Sequence, residues 1–184
     1  MSACFSYYYF GYGSPTLSLS HKRHYDDSDV FIDAISFVFR RNPTITSLKI
    51  ETSSVFPNSS ISWDHLCSFK HLSWLDLQGF QIHDPDFFSI PGCFETLTIP
   101  DTARKLVLPE DCSSMHCIRS FSTSLFSLVA ANKYNPITVP PDFRILVNPD
   151  ILNQYSSLES WCHVSFISSI DQSEIIPCVN SFKY

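Results

Sequence analysis

The stretch that most constrains this chain is HLSWLDLQGFQI, residues His71 to Ile82. Leu72, Leu75, Leu77, Phe80 and Ile82 place apolar side chains in the pattern L-x-x-L-x-L-x-x-F-x-I. A single half-buried strand would explain only the central alternation. Upstream, ITSLKIETSSV fills the same five slots with Ile45, Leu48, Ile50, Ser53 and Val55. Two such matches make a repeated unit the first hypothesis, because a repeat governs the whole fold.

Shorter matches continue the series. FETLTIPDT supplies Phe94, Leu97, Ile99 and Thr102, and IRSFSTSLF supplies Ile118, Phe121 and Thr123. FRILVNPDIL is anchored on Ile145 and Val147, CHVSFISSI on Val164 and Phe166, and PTLSLS on Leu17 and Leu19. The first residues of these core pairs are 17, 48, 75, 97, 121, 145 and 164, spaced by 31, 27, 22, 24, 24 and 19. Most of these intervals lie in the roughly 20–29-residue window of one repeat class.

The segments between the matches read as helices. DDSDVFIDAISFVFRRNP has Ser28 or Asp29 to cap its start, with Phe31, Ala34, Ile35 and Val38 on one face. Arg40 and Arg41 suit its last turn, and Asn42-Pro43 stops it. SSISWDHLCSF offers a shorter helix, capped near Ser62 with Leu66 and Phe69 inward. Ser124 to Asn132 and Pro149 to Trp161 are two further helix candidates. Strand and helix in alternation imply an α/β chain whose parallel strands are joined by right-handed crossovers.

With those residues in view, Val30 to Ile82 resembles the leucine-rich-repeat superfamily, specifically its helix-containing, ribonuclease-inhibitor-like branch. ITSLKIETSSV and HLSWLDLQGFQI carry the resemblance, and the weaker matches extend it over much of the chain. The middle segment FETLTIPDTARKLVLPEDC, with Ile99-Pro100 and Leu108-Pro109, is similar to the BspA-like repeats, and both subtypes stay open. The resemblance implies a solenoid: a curved parallel sheet with short helices on the convex side. It implies one domain over residues 1–184, with about five to seven irregular repeats. The slot that holds Asn or Cys in the family holds Ser53, Phe80 and Thr102 here, so the loops are expected to be irregular. The apolar C-terminal IIPCVNSFKY is a poor polar cap, which leaves open that the chain is a fragment of a longer array.

Composition narrows the function classes. A formal net charge of −6 without any Lys/Arg run disfavours nucleic-acid and anionic-membrane partners. Four glycines, at 11, 13, 79 and 92, cannot build a phosphate-cradling loop. Seven cysteines, an odd count at irregular spacing, read as reduced and mostly buried thiols. No basic, aliphatic leader and no roughly 20-residue apolar span is present, so the expected location is cytoplasmic. The lone sequon Asn58-Ser59-Ser60 moves that expectation little.

If the repeat holds, residues flanking each apolar pair line the sheet's open surface. They are Ser47, Lys49 and Glu51, then Trp74, Asp76 and Gln78, then Thr96, Thr98 and Pro100, then Ser120, Ser122 and Ser124. Trp74, Asp76, Gln78, Lys49, Glu51 and Thr98 are the candidate contact residues for another protein, with Trp74 the natural anchor. The expected role is an adaptor-like interaction module with no chemistry and no cofactor of its own. The alternative is a thiol enzyme or hydrolase on another α/β fold, using Cys112, His116 or Cys117. His21-x-x-His24 beside Asp26 and Asp27 could be a metal cluster, but a solvated loop is the simpler reading. Cys162 and His163 point to opposite faces of a strand and cannot pair.

Overall fold

The structure, a computed structural model, describes residues 4–8, 16–20, 27–52, 63–131, 139–156 and 167–169. Its elements in chain order are β1 (Cys4–Tyr8), β2 (Thr16–Ser20), α1 (Asp27–Arg41), β3 (Ser47–Thr52), α2 (Trp63–Cys67), β4 (Trp74–Asp76) and β5 (Phe88–Ser89). There follow β6 (Thr96–Thr98), β7 (Lys105–Leu108), β8 (Cys117–Ser120), β9 (Ser127–Ala130), β10 (Arg144–Val147), α3 (Pro149–Ser156) and β11 (Ile167–Ser169). The chain is therefore α/β, with mostly parallel strands and short helices.

The strands form two open sheets. The larger runs β1-β2-β3-β4-β6-β8-β10-β11, antiparallel only at β1–β2, and the smaller runs β5-β7-β9, all parallel. From β4 to β10 the chain visits the two sheets in strict alternation. Helices α1, α2 and α3 fall between large-sheet strands where β5, β7 and β9 fall elsewhere.

Register explains the apolar pattern. Leu48, Leu75, Leu97, Ile118, Ile145 and Ile167 stand side by side across the large sheet, 21 to 27 residues apart in the chain. Leu48, Leu75, Leu97, Ile118 and Ile145 are at most 1% exposed. They belong to one core cluster with Ala34, Ile35 and Val38 of α1, Leu66 of α2, Phe88 of β5 and Leu106 of β7. The core thus lies between the large sheet and a back layer of helices and small-sheet strands. The other apolar slots of the opening pattern, Leu72, Leu77, Phe80 and Ile82, are buried in it too.

Several expectations are corrected by this register. Ile118, not Phe121, takes the inward place in β8, because alternation from Ile118 sends Arg119 and Phe121 to the other side. Leu17 lies beside Ile50 rather than Leu48, a shift of one pleat. Ile167 stands beside Ile145, while Val164 and Phe166 lie outside the described residues. Where a helix was expected from Ser124, Ser127–Ala130 is strand β9. An apolar run that short is ambiguous by periodicity. The exposed flank of β7 decides it, since Ser127 N–H donates to Arg104 O (2.8 Å) and Ala131 N–H to Leu108 O (2.9 Å).

The expected helix ends hold better. α1 closes at Arg41, with Asn42 N–H donating to Val38 O (3.0 Å) before Pro43. α2 buries Leu66 and half-buries Phe69 behind it. The candidate caps Ser28 and Asp29 lie inside the first turn, since α1 begins at Asp27.

The expectation of reduced thiols is also corrected. Cys67, at the end of α2, is bonded to Cys93, just before β6, 26 residues away. Sequence spacing held no sign of it, because the link depends on the two segments meeting in the back layer. Cys112 and Cys117 are buried and not disulfide-bonded. Among the described residues, no helix is long and apolar enough to cross a membrane.

Candidate functional site

The outward face of the large sheet is built from two rows. Ser47, Trp74, Thr96, Cys117 and Arg144 form one; Lys49, Asp76, Thr98, Arg119 and Leu146 form the next. Strand alternation puts both rows opposite the inward leucines and isoleucines. The expected contact residues Trp74, Asp76, Lys49 and Thr98 do lie together on this face.

Its centre is packed rather than open. Trp74 is 8% exposed, Thr98 1% and Arg119 3%. Trp74 was expected as a solvent-facing anchor and Thr98 as an accessible contact; both are instead covered by their neighbours. The indole Nε1–H donates to Thr98 Oγ1 at 3.4 Å. The Arg119 guanidinium carbon lies 6.0 Å from the Trp74 ring centre and 5.5 Å from that of Phe121. A desolvated cation against two rings is a favourable arrangement. Phe121 also packs on buried Cys117 and Leu146, a second small apolar cluster on this side. Ser120, expected outward, is buried in the inward direction beside Val147, and no side-chain hydrogen bond satisfies its hydroxyl.

Exposure grows where the chain leaves β3, β4 and β6. Lys49 Nζ lies 3.6 Å from Glu51 Oε2, both side chains more than a third exposed. The Ser18 hydroxyl donates to Glu51 Oε1. Asp76 Oδ1 accepts from Gln78 N–H at 2.9 Å, which folds the chain into the turn after β4. The Gln78 amide then reaches Asp101 Oδ2 at 3.5 Å. Lys49, Glu51, Asp76, Gln78 and Asp101 therefore form a polar ledge along one end of the packed face.

Two of the ledge carboxylates, Asp76 and Asp101, are held above their ordinary range. Burial raises Asp76, and Gln78 N–H, Lys49 and Arg119 only partly offset it, with Glu51 adding repulsion. Asp101 is raised by burial and by Asp76, against the Gln78 hydrogen bond. A group that gains by losing its negative charge, or by meeting a positive one, fits a contact surface.

Loop order beyond β3 and β4 comes from Thr52 at the end of β3. Thr52 Oγ1 accepts from Gln81 N–H at 2.9 Å, and Thr52 N–H donates to Gly79 O at 3.1 Å. Slot 53 itself lies outside the described residues, Phe80 joins the core, and Thr102 is exposed. Gly79 lies close over Glu51: a side chain there would sit 3.0 Å from Glu51 Cβ.

The thiol alternative rests on Cys112, His116 and Cys117. Cys112 is fully buried, its Sγ–H donates to Pro109 O at 3.5 Å, and burial with the Asp111 charge pushes the thiol up to about 11. A nucleophilic cysteine needs the opposite shift. His116 is exposed, with Nδ1 2.8 Å from both Asp142 carboxylate oxygens. His21, His24, Cys162 and His163 lie outside the described residues.

Asp101 and Arg119 were missed by sequence reading. Arg119 would have been found by choosing Ile118 as the inward residue; Asp101 reaches the ledge through a turn that alternation does not describe. Comparison of the chain with family models, curated proteins and solved structures finds no match.

Proposed function

We propose that this chain is a solenoid of the leucine-rich-repeat type that binds another protein along the outward face of its large sheet. The observation that supports it best is the inward column from Leu48 to Ile167. Six parallel strands follow one another in chain order at 21 to 27 residues, each return supplied by one short back-layer element. Stacked repeats that bury one face against their neighbours have this order, and such arrays work through the extended sheet surface they leave. The curved shape with a convex back belongs to the same reading, and the protein does no chemistry of its own.

The ledge Lys49, Glu51, Asp76, Gln78 and Asp101 makes the contacts in this reading. Trp74 and Thr98 act beneath it, holding Arg119 and the strand spacing, and touch the partner little. The test is affinity capture with the wild-type chain and with a Lys49→Glu/Gln78→Arg variant. Lys49 is about a third exposed and Gln78 half-buried, so the variant is expected to fold. A partner retained by the wild type and lost by the variant supports the ledge; one retained equally by both removes it.

The Cys67–Cys93 bond favours an oxidising compartment over the cytoplasm, where such bonds are rare. Thiol counting on protein taken from its native source decides between them: Cys67 and Cys93 blocked supports the former, both alkylated without reductant the latter.

A further inference from the structure

The back layer carries a second feature that the proposed partner face does not use. Between the last turns of α1 and the turn after α2 lies a solvent-open hollow of about 460 Å3. Its apolar wall is made by half-buried Phe69 and exposed Pro43, with the buried Phe39 ring stacked on Phe69 at 3.4 Å. Its polar wall is made by Ser36, Arg40 and His65.

Each polar group is placed by the local fold. Ser36 and Arg40 are one helical turn apart on α1, so both meet the same hollow. The Ser36 hydroxyl and His65 Nε2 are hydrogen-bonded at 3.2 Å, which ties α1 to α2. His65 stands edge-on to Phe69, ring centres 5.4 Å apart. The Arg40 Nε–H donates to Ser36 O at 3.4 Å, a bond that does not use the guanidinium's terminal amino groups. Cys67, bonded to Cys93, anchors the helix that carries His65.

Charge decides what such a hollow takes. Arg40 is an exposed guanidinium, and among the described residues no acidic side chain lines the hollow. The carbonyl end of α1 opposes an anion, but its partial charge is smaller than that of the guanidinium. Arginine forks match carboxylates with two parallel hydrogen bonds, and the Ser36–His65 pair offers a further donor beside it. The apolar wall of Phe69 and Pro43 suits an apolar ring packed against it, and the volume lies within the range of small-molecule sites, roughly 300–1,000 Å3.

We propose that this hollow is a binding site for a small aromatic carboxylate, its carboxyl group on Arg40 and the Ser36–His65 pair and its ring against Phe69 and Pro43. The site is independent of the ledge, so its failure leaves the partner-binding reading untouched.

The experiment is a titration of the full isotope-labelled chain with naphthoate, followed by two-dimensional NMR, beside the same titration with uncharged naphthylmethanol. Saturable shifts confined to residues 36–43 and 65–69, with the alcohol about tenfold weaker, are expected. Arg40→Gln should weaken naphthoate by about the same factor while leaving the melting curve in place. Shifts that do not saturate, shifts scattered over the surface, or equal affinity for naphthoate and the alcohol overturn the proposal. The comparison of the two probes on wild type reads the charge requirement even if the variant fails to fold.

Discussion

The two halves of the back layer reach the same end by different means. Behind β2, β3 and β4 the connecting chain is helical, in α1 and α2; behind β4 to β10 it is extended, in β5, β7 and β9. The front sheet does not register the change. Leu48 and Leu75 in the helix-backed part and Leu97, Ile118 and Ile145 in the strand-backed part form one continuous inward column. The difference teaches that the front strands are set by their ladder and register, while the back has only to supply apolar cover. α1 supplies it with Ala34, Ile35 and Val38; the small sheet supplies it with Phe88 and Leu106, side by side.

This comparison is sharpened most by cutting the shared column on both sides. Leu48→Ala and Leu97→Ala should each cost about 2–5 kcal/mol in urea unfolding, since both side chains are buried against the same core. A large loss at one position and almost none at the other would separate the halves into unequal cores. Next in size is Gly92→Ala, in the strand-backed half. An added Cβ would lie 2.1 Å from the Asp111 carbonyl oxygen, a backbone atom that cannot swing aside. About 1–3 kcal/mol of destabilisation is expected, against a smaller effect for Gly79→Ala, whose nearest neighbour is the Glu51 side chain.

A smaller effect tests where the two kinds of back layer join. Tyr155 of α3 is fully buried, and its hydroxyl accepts Phe126 N–H at 2.9 Å ahead of β9. Tyr155→Phe removes that hydrogen bond and should cost about 0.5–1.5 kcal/mol. Burial pushes the Tyr155 hydroxyl up to about 12, against an ordinary value of 10.0. A value raised by folding contributes stability in full below the unfolded value and loses it as pH rises through the folded one. Wild type should therefore lose stability between about pH 10 and 12, and the phenylalanine variant should lose less over that window.

The smallest effect lies on the outward face. Asp76 is also raised by folding, so its contribution favours the fold at acid pH and fades as pH rises past the carboxylate range. Asp76→Asn keeps the oxygen that accepts Gln78 N–H but cannot ionise. Its melting temperature should match or exceed wild type at neutral pH, with the gain shrinking as pH falls below the ordinary 3.8. A marked loss at neutral pH would mean that Lys49 and Arg119 outweigh the burial.

What the sequence made legible follows the same division. α1 was readable because its signals are local: helical spacing of Ala34, Ile35 and Val38, arginines in the last turn, and Asn42-Pro43 beyond it. The front strands at Leu48, Leu75, Leu97 and Ile145 were readable from the apolar pattern. β9 was not, because SLVA becomes a strand through hydrogen bonds offered by β7, which local periodicity does not contain. The candidate face was legible in membership and not in exposure. Alternation correctly grouped Trp74 with Thr98, but Arg119, arriving from a strand placed in the wrong register, covers them. The disulfide and the Ser36–His65 hollow depend on back-layer packing alone and left no sequence pattern.

The most direct measurement of the central claim is amide hydrogen exchange on the chain with and without a partner recovered by ledge-dependent capture. The account predicts added protection at residues 76–81 and 100–104, where the ledge turns lie, with none at 105–108 or 127–130 behind them. Protection confined to the back layer, with the ledge turns unchanged, would contradict it.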